Sequence, residues 1–195
     1  MMEKRDTKKL LIEVGAELIY KNGYSNTGIL DILNKAGVPK GSFYFYFKSK
    51  EDFCLQLIDF FVEMYVNQAV KILVEEKNIP PRERLKSFFS YSQCHFEGGG
   101  CTKGCPLGNL ILEMSEINEN IRLKLVDGYQ KMNEPLIICI EEGIQKGEIS
   151  SDLDKDELTL FIQNSWEGAL MNMKLTRNSK ALVLFNKFIF ENFLR

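Results

Sequence analysis

No apolar run in the 195 residues approaches the ~18 that a membrane-spanning helix requires, so no transmembrane segment is expected. The first residues, MMEKRDTKK, are charged and polar, and no apolar stretch follows them. No secretory signal is therefore expected, and the expected location is the cytoplasm. There is no sustained alternation of apolar and polar residues and no Asn-Gly or Asp-Gly hairpin signal between strand-like runs, which argues against β structure. Histidine occurs once, at His95, and no Cys-x-x-Cys pair is present, which leaves little material for a metal centre or a dithiol enzyme. Internal repeats and low-complexity tracts are also missing.

What the chain does have is a core-forming composition, 45% apolar and 27% charged, in a length that permits one or two domains. Its net charge of −2 argues by itself against nucleic acid, but the charge is unevenly placed. Residues 1–50 hold nine Lys/Arg and five Asp/Glu, a balance of +4, and residues 51–195 hold sixteen and twenty-two, a balance of −6. Phosphate neutralisation needs a local basic face, and a small basic domain joined to a larger acidic one supplies it.

The apolar spacing is helical throughout, so the fold class is all-α with about nine helices. Residues 6–21 carry Leu10, Leu11, Val14, Leu18 and Ile19 on one face, with Asp6 or Thr7 as cap and Gly23 as stop. Residues 27–36 form a second helix with Ile29, Leu30, Ile32, Leu33 and Ala36 turned inward, ended by a left-handed Gly37. Pro39 opens a short third helix over 40–46, which only packing can hold. A long fourth helix is predicted from Glu51 to about Glu76, with Phe53, Leu57, Phe60, Phe61, Met64 and Ala69 as its stripe. A fifth follows over 82–95, and the glycine-rich 97–104 reads as a loop. Pro106 starts another helix, 115–118 interrupts it, and 119–146 is long. Asp152 or Asp154 caps the next to about Thr176, and Ser179 caps the last.

Residues 27–50 are a helix, a glycine turn, a short helix and a charged exit, the layout of a helix-turn-helix that sets its second helix in the major groove. Ala36-Gly37-Val38-Pro39-Lys40-Gly41-Ser42, Phe43-Tyr44-Phe45-Tyr46-Phe47 and Lys48-Ser49-Lys50-Glu51 resemble the DNA-binding domain of TetR-family repressors over residues 6–52. The resemblance implies a DNA-binding domain at 1–50 and an effector-binding and dimerisation domain at 51–195. It also implies a homodimer on double-stranded operator DNA, joined through the last two helices. Many members carry a histidine in the aromatic run where this chain has Phe45 and Tyr46. Gly104-Cys105-Pro106-Leu107-Gly108-Asn109-Leu110 with Glu113 is similar to a subgroup responding to small or reactive organic compounds.

The expected DNA contacts are Thr27 at the start of the second helix, then Lys40, Gly41 and Ser42 opening the recognition helix. Tyr44 and Tyr46 have hydroxyls for phosphate, and Lys48 and Lys50 lie at the exit. Phe43 and Phe47 read as core anchors.

The five cysteines (54, 94, 101, 105 and 139) are an odd number for a disulfide framework. Cys54 and Cys139 read as core. Cys94, His95, Cys101 and Cys105 fit no standard metal spacing, and no metal or other cofactor is expected. Cys105, beside Lys103 and at a helix start, is a candidate reactive thiol with Cys101 as resolving partner; plain packing against a pocket wall is the competing reading. Candidate pocket residues for a small-molecule effector are Phe88, Tyr91, Phe96, Leu110 and Met114 from the middle of the chain. Phe161, Trp166, Leu170 and Met173 join them from the helix whose Trp166-Glu167-Gly168-Ala169 sets small residues beside a large ring. Leu182, Phe185, Phe188, Ile189 and Phe193 form an apolar face too broad for a monomer surface, which suggests a dimer interface.

The functional expectation is a dimeric regulator, a repressor released from a pseudo-palindromic operator by a small-molecule or thiol-reactive effector. The alternatives are a cysteine enzyme with Cys105 as nucleophile and His95 as base, and a helical interaction module without DNA binding.

Overall fold

A computed structural model describes residues 7–194, and Asp6, one of the two expected caps of the first helix, lies outside them. The described residues form nine α-helices, two π-helical turns and no strand. The helices are α1 (Thr7–Asn22), α2 (Ile29–Ala36), α3 (Gly41–Tyr46), α4 (Lys50–Val70), α5 (Pro81–Gly98), α6 (Pro106–Met114), α7 (Glu119–Gln145), α8 (Lys155–Thr176) and α9 (Lys180–Lys187). The π turns are Lys71–Glu75, after α4, and Phe188–Phe193, after α9. Among the described residues no helix is long and apolar enough to cross a membrane.

Contacts divide the chain into two compact units. One comprises Met1–Val62 with Pro106–Gly128, and the other Glu63–Cys105 with Tyr129–Arg195. The first unit thus contains α6 and the start of α7 besides the three N-terminal helices.

In the first unit α2 starts two residues later than its apolar pattern suggests. Gly28 occupies the N-cap, and its N–H donates to the Asp31 carboxylate at 2.8 Å. Gly37, at φ +67°, ends the helix with Gly37 N–H on Asn34 O and Val38 N–H on Leu33 O, a Schellman-type pair. Ile32 and Leu33 are buried as expected, but Leu30 faces outward, because an eight-residue helix has room for only a narrow inward stripe. The short α3 is held by rings. Phe43 and Phe47 are buried, with centroids 5.5 and 4.9 Å from that of Phe53 on α4. Gly15 of α1 makes this possible, since a Cβ there would lie 2.2 Å from Phe53 Cζ.

The second unit is built around an aromatic core in which Phe89 packs against Trp166 and Phe185 at 5.2 and 5.0 Å. The predicted α4 continues past Val70 only as a π turn. The Leu73 carbonyl in that turn accepts from the fully buried Arg84 guanidinium, whose charge is met by Glu142 at 2.7 Å. α5 runs to Gly98, two residues into the predicted loop, and Cys101 N–H closes it on Phe96 O. Asp154 caps α8 through the N–H groups of Asp156 and Glu157, both at 2.9 Å. Ser179 sits at the N-cap of α9, but its hydroxyl goes to Glu97, and Asn178 Oδ1 accepts from Lys180 N–H instead.

Two expected apolar faces divide. Met64 on α4 is exposed. At the C-terminus Leu182, Phe185 and Ile189 enter the core, while Val183, Leu184, Phe188 and Phe193 stay outside. A helix with 3.6 residues per turn cannot turn all of these toward one neighbour.

Candidate functional site

The helix-turn-helix presents a polar and aromatic edge. Lys40 and Gly41 are exposed at the start of α3, and nothing lies within 4 Å of where a Gly41 Cβ would be. The chain backbone can therefore approach a flat partner closely there. Ser42 is half-buried and its N–H donates to Pro39 O at 2.9 Å. Tyr44 is 57% exposed and Phe45 81%, whereas Tyr46 is half-buried with its ring against Phe45. Alternation around a six-residue helix explains the split: Phe43 and Phe47 go in, and the residues between them look out. Lys48 is exposed, and its N–H is held by Asp52.

Two expected contacts sit differently. Thr27 is fully buried, and its hydroxyl donates to Gly23 O at 2.7 Å. Its single O–H is committed to the turn between α1 and α2 rather than offered at the surface. Lys50 is half-buried, with Nζ 2.6 Å from Tyr24 O and 4.3 Å from the Tyr24 ring centroid. Burial lowers its pKa, opposed by Glu113, Cys54 and Asp31. The ammonium is thereby drawn toward the same turn.

That turn holds a residue the sequence reading quoted only within a motif. Glu113 of α6 accepts from Tyr24 N–H at 2.8 Å and Ser25 N–H at 2.7 Å. Burial pushes the Glu113 carboxyl up, but the N–H and hydroxyl of Ser25, the N–H of Tyr24 and the Lys50 charge bring it below its ordinary value.

The second cluster lies in the other unit. Cys105 and Tyr129 both hydrogen-bond to the Glu167 carboxyl, with Tyr65 close enough to feel Cys105 and Glu167. Burial drives the Glu167 carboxyl above its ordinary value in spite of those two donors, and drives both phenols well above theirs. A thiol, a carboxyl and two phenols thus share a partly buried site, with proton donors and one acceptor. The group hydrogen-bonded to the Cys105 thiol is the Glu167 carboxyl and not the His95 imidazole. His95 is exposed and lines a half-open depression of about 420 Å³ together with Cys94, Phe96, Gly98, Gly99 and Lys103.

Cys101 is buried at φ +54°, directly after a left-handed Gly100, and Cys94 is exposed. Among the described residues no three His, Cys, Asp or Glu side chains converge on a possible metal position. Cys54 and Cys139 are buried, and burial first of all pushes their thiols up to about 12 and about 11.

Of the expected pocket residues, Phe88, Trp166, Leu170 and Met173 belong to one core, and Phe96 packs partly against it. Tyr91 and Phe161 are about half exposed and line no part of that core. Leu110 and Met114 are buried in the first unit. Residue spacing placed all nine on helical faces; it carried no signal for which faces meet, nor for the pairing of Cys105 with Glu167 across 62 positions.

Comparison with known proteins agrees with this geometry. Residues 11–57 match the model of bacterial regulatory proteins of the tetR family, and residues 81–189 match the tetracyclin repressor-like C-terminal domain. The chain is 34% identical to the HTH-type transcriptional repressor DhaR of Mycobacterium sp. (strain GP1), over 99% of this chain and 95% of that protein. A crystal structure of regulatory protein TetR from Rhodobacter sphaeroides superposes with a TM-score of 0.88 at 30% identity, covering 96% of this chain and 98% of that one. Reduced E. coli NemR shares the fold, with a TM-score of 0.90 at 24% identity and 98% coverage of both chains. The helix-turn-helix is therefore a DNA-binding element, and this chain belongs to the TetR family as a DNA-binding transcriptional repressor rather than an enzyme.

Proposed function

We propose that the protein is a cytoplasmic homodimer that holds a pseudo-palindromic operator and releases it when a thiol-reactive small molecule modifies Cys105. The observation that carries this reading is the hydrogen bond from the Cys105 thiol to the Glu167 carboxyl, beside the Tyr129 and Tyr65 phenols. An electrophile with a polarised carbon–carbon double bond would be attacked there by sulfur. As the S–C bond forms and the π bond breaks, the thiol proton passes to Glu167 and from there to the adjacent carbon, leaving a saturated thioether.

DNA contact falls to Lys40, Gly41, Ser42, Tyr44, Tyr46 and Lys48, with Lys50 and Thr27 fixing the turn behind them. The dimer face is the outward stripe of Leu160, Phe161, Met171 and Leu175 on α8, with Val183, Leu184 and Phe188 on and after α9. Gly168 lies on that stripe with open space where its Cβ would be, which permits close approach of a partner helix.

Fluorescence anisotropy on labelled DNA from upstream of the gene, with reduced protein and stoichiometric N-ethylmaleimide, tests the reading. Release in the wild type and retention in Cys105→Ser are expected. Binding that survives alkylation of Cys105 would leave the thiol structural and point to a reversible ligand. Affinity should fall with salt, by about 0.9 in log–log slope per phosphate contact.

A further inference from the structure

The turn between α1 and α2 is gripped from two sides. The Glu113 carboxylate takes the N–H groups of Tyr24 and Ser25 at 2.8 and 2.7 Å, and Lys50 Nζ takes the Tyr24 carbonyl at 2.6 Å. Room for the carboxylate is reserved by Gly23, at φ +86°, where a Cβ would come within 3.2 Å of Glu113 Oε2. Behind the turn, the Thr27 hydroxyl is tied to Gly23 O. This turn leads directly into α2, the first helix of the DNA-reading pair, so its position sets that of the pair. Two further links tie the segment after α6 to the same unit. Glu51 accepts from Asn118 and Asn120 at 3.0 and 2.8 Å, and Lys124 pairs with Asp59.

Glu113 differs from these in two ways. It grips backbone, whose N–H groups cannot swing aside as side chains can, and it sits on α6, whose first residue, Pro106, follows Cys105 in the chain. Charge-assisted hydrogen bonds to two consecutive N–H groups make a stiff joint. We infer that Glu113 is the positioning residue through which a displacement of α6 is transmitted to the DNA-reading helices, by way of the Tyr24–Ser25 backbone. The source of the displacement rests on the reading of Cys105 as the effector-responsive thiol; the joint itself does not.

Glu113→Gln keeps the size of the side chain but turns an amide N–H₂ toward one of the backbone donors. Glu113→Ala removes both acceptors and is run beside it. The first measurement needs no effector. Coupling is reciprocal, so operator bound to the head must be felt in α6. In wild type, saturating operator should slow hydrogen exchange of the amides over 107–114 by at least about fivefold, the lower end of ordinary coupling between sites. In both variants the operator should bind within about threefold of wild type, and the slowing should vanish. The second measurement is release by N-ethylmaleimide: wild type leaves the DNA and the alkylated variants stay bound.

Slowing in wild type that persists in both variants, or no slowing in wild type, overturns the joint. Loss of operator binding in both unmodified variants, with their helix content intact by circular dichroism, also overturns it, because Glu113 would then be part of the DNA-competent head and not a link. If the exchange result holds while alkylated wild type stays on DNA, the joint stands and the Cys105 reading fails.

Discussion

Glu113 in the first unit and Glu167 in the second are both partly buried, and both accept hydrogen bonds, yet their surroundings push them in opposite directions. Glu113 meets two backbone N–H groups, a hydroxyl and a lysine, which outweigh its burial and hold it below the ordinary carboxylate range. Glu167 meets a thiol and a phenol, and burial wins. The first is suited to permanent charge and hence to a structural joint. The second, raised by burial, keeps a proton more readily than an ordinary carboxyl and is suited to exchanging one with the Cys105 thiol. If Cys105 is the effector-responsive thiol, as proposed, one chain uses the same side chain as a fastener beside its DNA-reading helices and as a reagent at its sensor.

The strongest way to break this contrast is at the second unit's own fastener. Arg84 is fully buried and its charge is met by Glu142, which burial opposes but which Arg84, Lys146 and Lys77 hold far below its ordinary value. Glu142→Ala should destabilise the protein by about 3–5 kcal/mol in urea titration, because it strands a buried guanidinium. A loss under about 1 kcal/mol would mean that the Leu73 carbonyl alone satisfies Arg84.

Next in size is Glu167→Gln. If Glu167 accepts the Cys105 proton, the rate of N-ethylmaleimide addition at Cys105, followed by mass spectrometry, should drop on the order of 10²-fold at pH 7, the lower end for general-base assistance. An unchanged rate would reduce Glu167 to a packing partner. Gly15→Ala tests the first unit in the same spirit. The added methyl must displace the Phe53 ring, and an overpacked core costs about 1–3 kcal/mol. The lost stability should appear as faster hydrogen exchange in α1–α3.

These residues also mark what could be read from the sequence. Turn chemistry is local, so Gly37, Pro39 and the inward Phe43 and Phe47 were all legible from neighbours a few positions away. The two-residue delay of α2 was not, because it rests on the Asp31 carboxylate accepting from Gly28 N–H, which an apolar pattern does not report. Glu113 and Glu167 were out of reach for another reason. Their partners lie 89 and 62 positions away, Tyr24 for the first and Cys105 for the second, and helical periodicity reports which face is apolar, never which faces meet. The same ignorance put the exposed Tyr91 and Phe161 in a pocket.

A smaller effect concerns the DNA edge. Tyr44→Phe removes one exposed hydroxyl and nothing from the core, so operator affinity should weaken about two- to thirteenfold, the value of a hydrogen bond of about 0.5–1.5 kcal/mol, with stability unchanged. Phosphate contact carries no base information, so the loss should be equal on operator and on random DNA. A loss confined to the operator would place Tyr44 on a base edge.

The smallest expected effect tests the opposed carboxylates directly, through stability against pH. Glu113 is depressed in the folded state, so its contribution is present above the unfolded value of 4.5 and disappears as pH falls through the lower folded value. Glu167 is raised, so its contribution is complete below 4.5 and is lost as pH rises through the higher folded value. Neither can change the slope of stability by more than one proton, about 1.4 kcal/mol per pH unit. Relative to wild type, Glu113→Gln should therefore flatten the acid limb below pH 4.5 and leave the limb above it alone. Glu167→Gln should do the reverse, removing a decline that begins above pH 4.5. Urea midpoints measured across that range for the two variants separate the cases, because only the sign of the proton exchange differs between them. If both variants flatten the same limb, the two carboxylates do not differ in kind, and the division of labour between fastener and reagent would have to rest on Cys105 alone.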